Sequence, residues 1–177
     1  MTFAEYIPLA VRTESPRSSC SDQNRLLHAS IGSMTESVEL MGFTDQSNLV
    51  EELGDICWYI AIALDTLNPA SLDSKLVPMA TGLTEKAAIR AICDESAVML
   101  DSVKKWMFYG YPVDRVDFVA SCNVVLHLIR ELCNMRGIQF CDVLKANIRK
   151  LEVRYPEKFS DLNASSRDLE AEKKALF

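Results

Sequence analysis

Apolar residues recur at three- and four-residue intervals along most of this chain, and no sustained run alternates apolar with polar at period two. That rhythm predicts helices and argues against strands. From Asp22, which can act as N-cap, to Met41 the stripe is Leu27, Ile31, Met34, Val38 and Met41, and Gly42 offers the stop. A second helix, capped by Ser47, runs to about Leu67 through Leu49, Leu53, Ile56, Ile60 and Leu64, and Asn68-Pro69 closes it. A third covers roughly Thr84 to Phe108, ahead of the turn Tyr109-Gly110-Tyr111-Pro112. The fourth, about Val113 to Met135, ends at Gly137, and the fifth runs from Ile138 to about Val153 before Pro156. Residues 1–21 carry Pro8, Pro16 and a serine-rich run, which predicts a short helix and a loop, and residues 68–82 form a linker.

The expected architecture is therefore all-α: a four-helix-bundle core with an additional C-terminal helix in residues 1–159, and a polar tail over 160–177. In that tail LEAEKKAL reads as an isolated helical turn or two. The string ESVELM at 36–41 is echoed by ESAVML at 95–100, so the two long helix pairs look like related halves. Val98 stands where the repeat would place an acid and Asn123 falls roughly where Asp55 does, so the second half supports the fold and one chain carries one site.

A net charge of −6 leaves no basic field for holding polyanionic nucleic acid. The most apolar stretch, Ile56 to Leu64, is too short to span a bilayer, and no targeting signal opens the chain. Six cysteines without a CxxC pair read as reduced core residues, which places the protein in a cytoplasm.

The candidate chemistry lies in two acidic pairs. Glu36 and Glu39, and after a twelve-residue gap Glu52 and Asp55, stand three apart, which puts each pair on one helix face beside the apolar stripe. A short turn around Gly42 folds the two helices antiparallel, so the four carboxylates can meet at the seam. Such a cluster stays in water, raises its pKa values or recruits hard cations such as Mg²⁺ or Mn²⁺. Taken alone, acids at helical spacing describe a solvated face before they describe a metal site.

Their surroundings carry more. GSMTESVELM and NLVEELGDICWYIAIAL, with YIPLAVRT, RLLHASIG, KKWMFYGYP and ANIRKLEVRYPEKF in order, resemble the all-α nucleoside triphosphate pyrophosphohydrolases of the MazG-like superfamily over most of residues 6–159. The resemblance implies that Glu36, Glu39, Glu52 and Asp55 bind two or more Mg²⁺ ions and act in catalysis, with Mn²⁺ able to substitute. It also implies that water attacks the α-phosphorus of a nucleoside triphosphate to give the monophosphate and pyrophosphate. It further implies a homodimer or homotetramer. The phage-like strings point to MazZ-type dGTP/GTP pyrophosphohydrolases, which act in a host cytoplasm. A dUTP or dCTP pyrophosphatase is the runner-up, because no residue fixes one base edge. A non-catalytic helical module that binds metal or nucleotide is the competing class.

Two divalent ions balance four carboxylates, so a triphosphate needs basic partners of its own. Asn147, Lys150 and Arg154 share one helix face and match the superfamily's N-x-x-K-x-x-x-R-Y segment, with Tyr155 behind them. Lys104 and Lys105 are the next phosphate candidates and Arg12 a weaker one. Glu51 can face the site or solvent. For the base, His28, Trp58 and Tyr59 can stack, although each equally fits the core. His127 on an apolar helix reads as core.

Overall fold

The computed structural model describes residues 1–68 and 82–176, so the linker expected over 68–82 lies almost wholly outside the described residues. Among these residues are eight helices and no strand. They are α1 (Phe3–Val11), α2 (Asp22–Leu40), α3 (Gln46–Leu67), α4 (Glu85–Tyr109), α5 (Arg115–Arg136), α6 (Phe140–Arg154), α7 (Asp161–Ser165) and α8 (Leu169–Lys174).

Local chemistry sets the boundaries. Two caps stand just upstream of the expected residues: Ser21 rather than Asp22 accepts from the Asn24 amide at 3.1 Å, and Asp45 rather than Ser47 accepts from Asn48 at 2.9 Å. Both have extended backbone, the conformation that lets a cap side chain reach the orphan amides. Gly110 and Gly137 end α4 and α5 at φ 73° and 67°, and Asn68 ends α3 at φ 42°, all left-handed.

α3 is the axis of the molecule. Leu49, Leu53, Ile56, Ile60 and Leu64 are all buried, and Ala61, Ile62 and Ala63 fill its other side, because α1, α2, α5 and α6 pack around it. An all-round apolar helix is what such a position requires. α2 lies between α3 and α4, and α4 pairs with α5.

The buried face of α2 differs from its apolar stripe. Leu26, Ala29, Ser30, Ser33, Ser37 and Leu40 turn inward, while Ile31, Val38 and Met41 are 45%, 52% and 55% exposed. Small residues let α2 approach two neighbours at once, and Ser33 and Ser37 find partners within that contact, whereas the buried Ser30 hydroxyl has none among the described residues. Ser33 Oγ lies 2.8 Å and Ser37 Oγ 3.1 Å from Ser96 Oγ of α4. Ser37 and Ser96 are equivalent positions of the echoed hexapeptides.

The tail forms helices but is not isolated. α8 docks on α6, Leu176 is buried, and Arg149 donates to the carbonyls of Ala175 (2.8 Å) and Leu176 (3.2 Å). No helix of the described residues is long and apolar enough to cross a membrane, and all six cysteines are free.

Candidate metal centre and its cleft

The turn after α2 folds α3 back along it, and this brings Glu36, Glu39 and Glu52 together. One carboxylate oxygen from each lies within 4.8 Å of the others, with Glu52 buried, Glu36 half-buried and Glu39 exposed. Burial, followed by the negative charges of Asp55, Glu39 and Glu52, pushes the Glu36 carboxyl up to about 8. Burial and Asp55 push Glu52 up to about 7, although the Asn48 side-chain amide donates to it at 2.6 Å and opposes the shift. Carboxyl groups that resist ionisation beside one another are relieved by a cation. Three hard oxygen donors suit Mg²⁺ or Mn²⁺, so the residues present fit the group expected there.

Asp55, expected as a fourth ligand, is turned to another task. Both of its oxygens accept from the Lys150 ammonium, at 2.6 and 2.5 Å, and Oδ1 also accepts from the Asn147 amide at 2.8 Å. The buried Tyr6 hydroxyl donates to Asn147 Oδ1 at 2.6 Å, which fixes the amide with its nitrogen toward Asp55. Lys150 is only 2% exposed, because α6 packs directly on α3. Thus Lys150 and Asn147, expected on the phosphates, are committed to a carboxylate. Glu51 shares that ammonium at 3.4 Å.

Around the carboxylates opens a cleft of about 570 Å³. It is lined by the carboxylates of Glu36, Glu39, Glu51, Glu52 and Asp55 and by the rings of His28, Trp58, Tyr59, Tyr155 and Phe159. The three base-binding candidates therefore reach the cleft. They pack edge to face, with ring centroids 5.7 Å (His28–Trp58), 5.4 Å (His28–Tyr59) and 4.9 Å (Trp58–Tyr59) apart. Trp58 Nε1 donates to Ala10 O and Thr13 Oγ1, which anchors the cluster to the end of α1. Burial lowers the His28 pKa, so the ring is neutral near pH 7, and its Nδ1 is buried with no protein partner. Burial, with the charges of Glu36 and Asp55, pushes the Tyr59 hydroxyl up to about 12, so it stays a donor.

The basic candidates divide. Arg154 and Tyr155 line the cleft. Lys104 and Lys105 do not: they pair with Asp101 on the exposed face of α4. Arg12 donates to the carbonyls of Tyr155 (3.0 Å) and Glu157 (2.6 Å), tying down the chain after α6, and His127 is half-buried away from the cleft.

Sequence reasoning missed several participants. Gly32 is a contact point: a Cβ there would stand 2.0 Å from Tyr59 Cε1, so only glycine lets that ring lie on α2. A Cβ on Gly54 would meet Asn147 Cβ at 2.9 Å, so glycine also admits the amide that holds Asp55. Glycine inside an otherwise helical pattern was the available signal. Arg167, which also lines the cleft, comes from the tail, where periodicity carries no information. Comparison with protein-family models, with curated proteins and with solved structures finds no match for this chain.

Proposed function

We propose that the protein is a Mg²⁺-dependent nucleoside triphosphate pyrophosphohydrolase. The observation that carries this is the convergence of Glu36, Glu39 and Glu52 within 4.8 Å, with two of the three resisting ionisation, in a cleft that aromatic side chains also line. Carboxylates that suit divalent cations and aromatic rings that can stack on a base, lining one cleft, together fit a nucleotide. The reaction adds water at the α-phosphorus and breaks the α–β anhydride bond, releasing monophosphate and pyrophosphate. Bound Mg²⁺ would supply neutralisation of phosphate charge and a more acidic water.

The chain's own residues do the rest. Glu36, Glu39 and Glu52 would hold the ion, and Asp55 is fixed beside them by Lys150 and Asn147. The rings of His28, Trp58 and Tyr59, all lining the cleft, offer apolar surface for a base. A purine, dGTP or GTP, is favoured by the likeness to the phage enzymes, with dUTP or dCTP the alternative.

Incubation of the protein with each common ribo- and deoxyribonucleoside triphosphate is expected to give monophosphate and pyrophosphate only when Mg²⁺ is present. Glu36→Gln and Glu39→Gln should each lower the rate at least 100-fold, the scale of losing electrostatic stabilisation in the transition state. Nucleotide binding without pyrophosphate release would replace the enzyme by a non-catalytic binding module, and unchanged rates in the variants would place the chemistry elsewhere.

A further inference from the structure

Five carboxylates line the cleft: Glu36, Glu39, Glu51, Glu52 and Asp55. Among its lining residues only Arg154 and Arg167 bring a guanidinium or ammonium. Lys150 is not available, since it is buried and bound to Asp55. Among the described residues, an oligophosphate entering this cleft can therefore find fixed positive charge at those two arginines.

They come from different parts of the chain, and one carboxylate joins them. Glu172 of α8, 2% exposed, accepts from Arg154 through Nε (2.9 Å) and Nη2 (2.5 Å), and from Arg167 through Nε (3.3 Å) and Nη2 (2.7 Å). One edge of each guanidinium is used, and neither Nη1 takes part in these bonds. The group of three keeps a net charge of +1. Burial by itself would raise the Glu172 pKa, but the four hydrogen bonds outweigh it and hold the carboxyl down at about 2. α8 stays in place through Leu176 and the Arg149 bonds to its end.

We propose that Arg154 and Arg167, cross-linked by Glu172, form a two-guanidinium clamp for the polyphosphate of a nucleotide, so that the C-terminal segment is part of the ligand site. Planar forked donors match phosphate oxygens. Arg167, with its side chain 41% exposed, would lose much rotamer freedom on binding, and Glu172 removes that loss in advance. Glu172 is thus a positioning residue, and the arginines touch the ligand. The nucleotide identity rests on the proposed function, whereas the clamp itself needs only an oligophosphate.

The test titrates the full-length protein calorimetrically with inorganic tripolyphosphate, in Mg²⁺ and in EDTA, and measures KM and kcat of the same variants on the best triphosphate. Arg167→Gln is expected to weaken tripolyphosphate roughly ten-fold, the scale of one lost charge-assisted hydrogen bond, and to raise KM by a similar factor while kcat changes little. Arg167→Lys should recover part of the loss, because the charge remains and the fork is gone. Glu172→Gln should also weaken binding, with melting temperature and circular dichroism reporting that the bundle is intact. Unchanged binding in Arg167→Gln and Glu172→Gln overturns the clamp. Tighter binding in Glu172→Gln overturns it too, because Glu172 would then be a competing anion. If the wild type binds tripolyphosphate through Arg167 but releases no pyrophosphate from any nucleotide, the hydrolase proposal fails and the clamp stands. If it hydrolyses nucleotides and Arg167→Gln is silent, the clamp alone fails.

Discussion

Lys150→Met removes a buried ammonium while keeping most of the side-chain volume. In the native protein that ammonium meets both Asp55 oxygens, at 2.6 and 2.5 Å, and Glu51 at 3.4 Å. Without it Asp55 keeps the Asn147 amide and faces the other carboxylates of the cleft. Deleting one partner of a buried ion pair costs about 3–5 kcal/mol, because the other charge is left uncompensated. The Asp55 side chain is 27% exposed, so water offsets part of this, and the lower end, ~3 kcal/mol, is expected. For a chain of this size that lowers Tm by roughly 6–12 °C. In Lys150→Met/Asp55→Asn the stranded charge is gone as well, so the double variant should be more stable than the single by about 2 kcal/mol. Urea unfolding of the four species, followed by circular dichroism in EDTA at pH 7.5, measures the cycle. Additive losses, or a Lys150→Met loss under about 1 kcal/mol, would refute a buried pair that matters to the fold.

Two further outcomes follow from the same geometry. Gly54→Ala brings a Cβ to 2.9 Å from Asn147 Cβ, and that overlap should destabilise the protein by about 1–3 kcal/mol in urea unfolding; a neutral substitution would show that α6 does not seat on α3 as described. Glu36 and Glu52 titrate near 8 and 7 in the fold against an ordinary 4.5, so without divalent ions the folded state holds protons that the unfolded chain has released. Their contribution to stability is therefore fully present below pH 4.5 and is lost as pH rises through about 7 and 8. Tm measured from pH 5 to 8.5 in EDTA should fall less steeply for Glu36→Gln than for the wild type, and parallel curves would contradict the crowding of these carboxyls.

Much of the helical framework was legible because its causes are local. Glycines 110 and 137 stop helices by backbone conformation, and period 3.6 in α3 marks a buried face wherever that helix lies. The acids at 36, 39 and 52 were legible as a group for the same reason, since a short turn between two helices leaves them little choice but to meet. Asp55 was not separable from them: its spacing from Glu52 says that it shares a face, and only the approach of α6 decides that Lys150 and Asn147 claim it. α2 shows the limit from the other side, because its largest apolar residues mark one face while the crowding of α3 and α4 selects the neighbouring one, built of serines and alanine.

The amino-acid sequence alone thus determined the helices, the order in which they come, and the presence of an acidic centre on the first pair, because propensity, capping and turn chemistry act over a few residues. Tertiary structure alone decided which charges remain for a ligand. Lys150 and Arg154 lie one turn apart on the same helix, yet one is spent on Asp55 and the other joins Arg167 and Glu172 at the cleft. Pairing of charges depends on distances in space, and these are set by packing between elements far apart along the chain.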